Sequence, residues 1–295
     1  MRYIEKHPMV MIVVGILGIS LSSILVKYAQ APSAVTAAYR LIWTVILLTP
    51  AALGKKENRR EFRAMGRKSF WLSVISGLFL AAHFALWFES LQHTSVASST
   101  TIVCTEVIWV SLGYWLFLKG RLSARAVGVI AVTFAGSAAI ALADSSAGGT
   151  HFYGDILALA AAVAVAGYTL IGRFVRSGVS TTVYTYIVYW ACALSLLVLC
   201  AIQGHGLLDY GTSAPVVGLL LSIFSTLLGH SIFSWCLKYF SPAFVSASKL
   251  CEPVVAGFLA MFLFGEIPGA LQLFGGGLIL GGVCYYSRLE RQEHS

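Results

Sequence analysis

Residues 241–264 read SPAFVSASKLCEPVVAGFLAMFLF, and this stretch decides how the rest of the chain can fold. It is about the length that crosses a bilayer as an α-helix, yet it carries Lys249 and Glu252 near its middle. A charge at that depth costs at least a few kcal/mol, so such residues normally face a partner or a water-filled cavity. Pro253 removes a backbone hydrogen bond next to the glutamate and favours a kink. The pattern predicts a kinked membrane helix that lines a transport pathway.

The composition excludes an ordinary soluble domain. Of the 295 residues, 58% are hydrophobic and 11% are charged, whereas about a quarter are charged in a soluble domain. Seven of the 20 Lys and Arg residues lie between Lys55 and Lys68, and most others flank apolar runs. Despite the net charge of +8, this clustering is the positive-inside pattern of a multi-span membrane protein and predicts no nucleic-acid partner. The six cysteines all fall in apolar stretches and indicate no disulfide framework.

Ten apolar segments are long enough to cross a lipid bilayer as helices, and we call them span one to span ten. They cover about residues 8–28, 33–53, 70–90, 95–117, 123–143, 153–174, 180–202, 216–237, 242–264 and 268–287. Lys and Arg collect in alternate connections, and the remaining connections hold mainly Asp and Glu. This alternation predicts a multi-pass protein of the plasma membrane with both termini in the cytoplasm.

The chain repeats itself with an offset of 147 residues, half its length. The aligned identities include His83 with His230, Cys104 with Cys251, Tyr39 with Tyr186, and Trp43 with Trp190. Because each half holds five spans, an odd number, the second half enters the membrane from the opposite side. The sequence therefore predicts an all-α membrane protein made of two inverted five-helix repeats, residues 1–147 and 148–295. In such architectures substrates bind near the midplane, between the halves.

Three motifs extend this prediction. Tyr39-Arg40 opens span two, CEPVVAGFLAMFLFGE fills residues 251–266, and GGGLILGG occupies residues 275–282 of span ten. With the ten spans they resemble the drug/metabolite transporter superfamily, in its EamA-type branch. The first half departs from the fuller Glu-Pro and Gly-Glu pattern of the second. The resemblance implies export or exchange of small polar metabolites by rocking around a central cavity, framed by spans three, four, eight and nine.

Two carboxylates fall near the predicted midplane. Glu106 lies eleven residues into span four and Glu252 ten residues into span nine, at about 1.5 Å per residue. Either carboxylate could take up a proton and couple transport to a proton gradient; alternatively, Glu252 belongs to the helix kink and Glu106 bonds nearby backbone. Lys249, one turn before Glu252, either neutralises it or forms a ligand cradle with Ser248. Arg40 is expected to be architectural.

The aligned histidines and cysteines suggest a Cys2His2 metal site, which depth counting argues against. The counting places His83 and Cys104 in the outer half of the membrane, and His230 and Cys251 in the inner half. One tetrahedral site needs all its ligands within about 2.0–2.3 Å of the metal. The sequence therefore predicts no metal and no other cofactor. Each histidine either faces the cavity from its own repeat or makes an interior hydrogen bond.

Aromatic residues form a further group of candidate substrate-binding groups. Tyr39 and Trp43 share a face of span two, Tyr186 and Trp190 repeat this on span seven, and Trp87 lies one turn after His83. Such rings can bind an organic cation or another ring by cation–π or stacking contacts. Helix packing is the alternative role for all of them.

The charges near the midplane suggest the class of solute. Arg40 and Lys249 are balanced there by Glu106 and Glu252, and a cavity with both signs suits a zwitterion. The leading hypothesis is a secondary or facilitative transporter that exports or exchanges amino acids, or related zwitterionic or amphipathic metabolites, by alternating access. Its predicted partners are this small-molecule substrate, protons and the lipid bilayer, and the protein is expected to be a monomer or a weak homodimer.

Two other functions remain open. The sequence has no nucleophile elbow, zinc-protease motif or nucleotide-binding motif, so we predict that the protein is not an enzyme. The alternatives are a membrane-embedded enzyme that acts on a lipid-linked or small substrate, and a passive channel.

Overall fold

The computed structural model describes residues 8–94, 96–144, 152–255, 258–259 and 269–294, and every regular element within these ranges is helical. Seven described helices are long and apolar enough to cross a membrane. They form spans one, two, three, four, six, seven and eight: Pro8–Val26, Ser33–Gly54, Arg67–His93, Ser99–Leu118, Phe152–Arg176, Thr181–Ile202 and Ser213–Cys236. These segments match the predicted ones, although the helix of span three extends about one turn beyond the predicted segment at each end.

The three remaining spans are less complete. Helices Ala124–Asp144 and Ala270–His294 occupy spans five and ten, and each contains a shorter apolar stretch, Ala124–Gly136 and Leu273–Tyr286. Span nine begins with helix Pro242–Ser248, and much of its second half lies outside the described residues. Ten membrane crossings therefore stay a prediction. A short amphipathic helix, Lys56–Ala64, lies in the basic connection between spans two and three.

The outer surface of the helix bundle is apolar. Phe117, Leu194 and Val198, for example, are all exposed on span helices, whereas the interior buries many Ser, Thr and Ala side chains. A soluble monomer rarely exposes so much contiguous apolar surface. Lipid is as apolar as leucine, so helices in a membrane associate through small residues and polar contacts instead. The distribution of side chains is that of a bundle surrounded by lipid.

Among the described residues, spans four, eight and nine depart from regular α-helix in their middle, whereas span one is interrupted only at the turn residue Leu21. Span four breaks at residues 104–105, between helices Val96–Val103 and Glu106–Leu118, and span eight contains the π-helix Ser222–His230. Span nine tightens into the 3₁₀ turn Lys249–Cys251 immediately before Pro253, which has no N–H to donate. Irregular backbone at membrane depth is tolerated where protein buries it or where it lines a cavity. These three spans therefore mark the part of the bundle where a site can be built.

The packing of the spans falls into matched sets. Span three packs against spans six and seven, and span eight packs against spans one and two. Spans two and seven, four and nine, and five and ten also pack together, and span four makes a further extensive contact with span six. Exchanging the two halves of the chain converts the first set into the second and leaves the pairs two–seven, four–nine and five–ten unchanged. The contact of spans four and six has only a weak counterpart between spans nine and one.

The glycine-rich motif of span ten is used within the chain. A Cβ on Gly136 of span five would lie 2.7 Å from the carbonyl oxygen of Gly275, and one on Gly282 would meet Thr133. Small residues at this contact let the backbones of spans five and ten approach closely. This accounts for part of the motif without a second copy of the chain, and a weak homodimer stays a prediction.

Candidate functional site

A buried ion pair joins span nine to span four. The Lys249 Nζ lies 2.9 Å from Oε1 and 3.1 Å from Oε2 of Glu106, and the two side chains are 12% and 7% exposed. One of the two roles that the sequence predicts for Lys249 is to pair with Glu252, one turn along the same helix. That pairing is wrong. Lys249 pairs instead with a carboxylate 143 residues away.

Hydrogen bonds explain why Glu106 is the preferred partner. Its Oε1 also accepts from Thr169 of span six and Ser246 of span nine, both at 3.0 Å. Glu106 lies in the first turn of helix Glu106–Leu118, where the helix dipole favours a negative charge. A buried ion pair needs such additional hydrogen bonds to compensate for the loss of water. The Glu106 carboxylate is therefore held in place between three spans.

Glu252 has a different environment. No hydrogen bond or ion pair joins its carboxylate to another side chain in the described part of the chain, and the residue is only partly buried. The carboxylate lies within electrostatic range of Lys249, Glu106 and Arg40. Of the two glutamates, Glu252 is the one whose charge the described residues leave without a direct partner.

His83 and His230 lie side by side, with ring centroids 6.3 Å apart. The expectation that they lie at separate membrane levels is therefore wrong. Counting depth from the predicted span ends assumes a uniform α-helical rise along every span. His230 ends the π-helix Ser222–His230, whose wider turns advance less per residue than α-helical turns.

The two histidines have unequal partners. The Nδ1 of His83 lies 3.0 Å from the carbonyl oxygen of Ala161, and because a carbonyl only accepts, this nitrogen carries the proton. The buried Nδ1 of His230 has no hydrogen-bond partner within the described residues. Over those same residues, no group of three or more His, Cys, Asp and Glu side chains is placed to hold a metal.

Aromatic rings surround the histidine pair. Trp87 stacks on His83, with centroids 5.9 Å apart and an interplanar angle of 14°, and its buried Nε1 has no partner in the described part of the chain. Phe84 and Tyr168 meet His230 edge-on at 5.3 and 6.0 Å. No sequence motif marks Tyr168 as a site residue. In the structure its neighbour Thr169 donates a hydrogen bond to Glu106.

We call this group of residues the central cluster: His83, Trp87, Glu106, Tyr168, His230, Lys249 and Glu252. His83 lies within electrostatic range of both Glu106 and Lys249, which connects the ring contacts to the ion pair. The cluster lies where the two apolar cores of the bundle adjoin. Phe84 and Tyr168 belong to one core, and Phe233, 5.5 Å from the Lys249 ammonium, belongs to the other.

Arg40 makes the contacts of an architectural residue. It is 1% exposed, and its Nε donates to Thr226 at 2.7 Å while an Nη donates to Ser22 at 3.3 Å. Its guanidinium lies 4.1 Å above the ring of Phe84. Arg40 thus ties span two to spans one, three and eight.

Four predicted aromatic residues lie apart from these contacts. The Tyr39 hydroxyl donates to the Leu207 carbonyl, and the Trp43 indole donates to the Pro215 carbonyl, both at 3.0 Å. Tyr186 packs against Phe62 of the basic connection. Trp190 is 44% exposed on the outer surface of the bundle. Their contacts are of the packing kind, and a role in substrate binding stays a prediction for each.

Known proteins that are similar to this chain in sequence include two that are named as transporters or exporters, and one solved structure shares its fold. A chain from Streptantibioticus cattleyicolor, named a probable terminal-alkyne amino-acid exporter, is 26% identical over 199 residues, which are 66% of this chain and 65% of that one. An uncharacterized transporter from Clostridium kluyveri is 22% identical over 88% of this chain and 85% of its own length. One crystal structure matches 98% of this chain and 99% of its own with a TM-score of 0.76 at 19% identity, which is a likeness of fold.

The family comparison covers both halves separately. The sequence model of the EamA-like transporter family matches residues 7–142, and it matches again at residues 152–288. Each match spans nearly one predicted five-helix half, and together they cover most of the chain. The protein is therefore a membrane transporter that belongs to the EamA-like transporter family.

Proposed function

We propose that this transporter exports or exchanges small zwitterionic solutes of the amino-acid class across the plasma membrane, by alternating access at the central cluster. The observation that carries the proposal is the Lys249–Glu106 ion pair. It joins one predicted half of the chain to the other through a contact that is buried in the middle of broken spans.

A zwitterion has the chemistry to replace each partner of this pair. Its ammonium group can take the place of Lys249 at the Glu106 carboxylate, where Thr169 and Ser246 already donate. Its carboxylate can take the place of Glu106 at the Lys249 ammonium. Breaking a buried pair without replacement strands two charges at a high cost. The pair therefore opens at low cost only when a solute with both charges is bound.

The rest of the cluster suits the side chain of such a solute. Trp87 and Tyr168 offer apolar ring surface, and the unpartnered nitrogens of Trp87 and His230 offer hydrogen bonds. The name of the Streptantibioticus cattleyicolor relative, a probable exporter of a terminal-alkyne amino acid, supports the same solute class.

Several features support an inverted repeat that moves around this cluster. His83 and His230, aligned by the 147-residue offset, lie next to each other, as residues near a two-fold axis do. Cys104 and Cys251, also aligned, both lie at the break of their span. Several of the most extensive span contacts, three with six and seven against eight with one and two, are interconverted when the halves are exchanged. Inverted repeats with broken helices at the midplane are a common basis of alternating access.

Glu252 is the proposed proton site. A titratable residue inside a membrane bundle commonly belongs to a proton or substrate pathway. Glu106 is occupied by Lys249, Thr169 and Ser246, whereas the Glu252 carboxylate has no direct partner among the described residues. Proton uptake by Glu252 would leave the Lys249–Glu106 pair intact.

The proposal is tested with purified protein in liposomes loaded with unlabelled neutral amino acids, one of them with a terminal-alkyne side chain. A carrier accumulates external radiolabelled solute transiently by counterflow, because influx of label is coupled to efflux of the internal solute. A passive channel lets the label equilibrate without an overshoot, and a membrane enzyme changes the solute chemically. The absence of an overshoot with every amino acid in the panel would contradict the proposed function.

A further inference from the structure

A second polar pocket lies at the ends of spans two, three and seven, apart from the central cluster. The opposite ends of these spans meet at the basic connection, where the Ser180 amide donates to Glu61. The pocket has a volume of about 330 Å³, within the usual range of small-molecule sites. Its polar lining consists of Ser33, Glu89, Gln92, Gln203 and His205, and we call it the end pocket.

One buried group in the end pocket has no partner. Ser33 is 9% exposed, and its hydroxyl makes no hydrogen bond within the described residues. Buried polar atoms in proteins are nearly always hydrogen-bonded, so each exception needs an explanation. Because the Ser33 hydroxyl is itself buried, the ligand site rests on the pocket and on the polar groups that line it.

The remaining lining groups keep free hydrogen-bonding capacity toward a ligand. Glu89 uses Oε1 to bind the Nε2 of His93 at 3.1 Å, which leaves its Oε2 available. His205 uses Nδ1 to bind the Tyr210 hydroxyl at 3.0 Å, which leaves its Nε2. The side-chain amides of Gln92 and Gln203 make no hydrogen bond in the described part of the chain.

We propose that the end pocket binds a small solute with a primary ammonium group, such as a neutral amino acid. The Glu89 carboxylate is the only charged acceptor in the lining and would accept from the ammonium. The exposed side-chain amides of Gln92 and Gln203 are neutral donors that would hold an uncharged or carboxylate end. The ammonium group is therefore the recognised feature, and an anion without it does not bind.

The end pocket is separate from the central cluster, and span two leads from it to Arg40, whose guanidinium lies on Phe84 beside His230. Ser33, Thr36 and Arg40 share one helix face, and seven residues of rise separate the first from the last by about 10 Å. Thr36 is buried, and its hydroxyl also has no partner in the described part of the chain. This polar face makes the end pocket a station between the cluster and the aqueous phase. The station role rests on the proposed function; ligand binding in the pocket does not.

Solute protection of a single cysteine tests the site without any need for transport. Ala31 lines the end pocket but takes no part in the proposed contacts, so Ala31→Cys reports on occupancy in a background without the six native cysteines. Thr212→Cys is the matched control. Thr212 is exposed and lies outside the pocket lining. It lies at the same end of the bundle as the pocket, because the hydroxyl of the neighbouring Ser213 accepts a hydrogen bond from the backbone N–H of Gln30.

Three probes separate the charges: L-alanine, alaninamide and N-acetylalanine. In detergent, L-alanine and alaninamide should slow maleimide labelling of Ala31→Cys several-fold and leave Thr212→Cys unchanged. N-acetylalanine, which lacks the ammonium group, should protect neither, and Glu89→Gln should remove the protection. Equal protection of both cysteines, no protection by L-alanine, or protection that survives Glu89→Gln would overturn the proposal, whatever the outcome of the counterflow assay.

Discussion

Lys249 lies where a lysine is costly, and its contacts show how the bundle tolerates it. Its ammonium binds both oxygens of Glu106, and the carboxylate is held by Thr169 and Ser246. Removing one partner of such a pair typically costs about 3–5 kcal/mol, because the other charge is stranded. Glu252, three residues on, has no such network within the described residues. Two acidic residues at similar depth are thus suited to different tasks.

Replacement of Glu252 by glutamine tests this division at the scale of one residue. Glutamine keeps the shape and hydrogen-bonding capacity of the side chain but cannot titrate. We expect Glu252→Gln to fold normally and to exchange solute at a rate that no longer depends on pH. The measurement is exchange in proteoliposomes over a range of pH, with Glu57→Gln in the exposed helix Lys56–Ala64 as the control. A pH profile identical to that of the unmodified protein would assign the proton site elsewhere.

At the scale of the helix, composition predicted the seven long apolar helices well, because apolar length is a local property. Pro253 likewise marked the irregular turn in span nine from sequence. The break in span four has no proline; the Thr105 hydroxyl donates to the Ile102 carbonyl at 2.6 Å instead. The π-helix Ser222–His230 also has no sequence signal that we recognise.

These irregular turns are the reason that the contacts of the site were predicted less well than the spans. Residue counting converts sequence into depth only for a regular helix, so it separated His83 from His230 although their rings lie close together. Local spacing also favoured Glu252 as the partner of Lys249, whereas Glu106 comes from a helix 143 residues away. The sequence could show which of these residues lie within the predicted spans, but not which of them touch.

At the scale of the whole molecule, the basic connection between spans two and three sets the expected orientation. Asn58 lies in this connection and Ser213 at the opposite end of the bundle, so a membrane-impermeant thiol reagent distinguishes the two sides. In cells and in a cysteine-free background, we expect Ser213→Cys to be labelled from outside and Asn58→Cys only after permeabilisation. Labelling of Asn58→Cys in intact cells would reverse the orientation and place the end pocket in the cytoplasm.

The claim that a solute exchanges places with the Lys249–Glu106 pair is tested most directly by removing both charges together. Glu106→Gln with Lys249→Met strands no charge, so the double variant should fold better than either single variant. We predict that this double variant keeps its thermal stability but shows no counterflow with a solute that the unmodified protein exchanges. Lys56→Met with Glu57→Gln, exposed in the basic connection, should exchange normally. A folded Glu106→Gln, Lys249→Met variant that exchanges at the unmodified rate would make the ion pair purely structural and contradict the central claim.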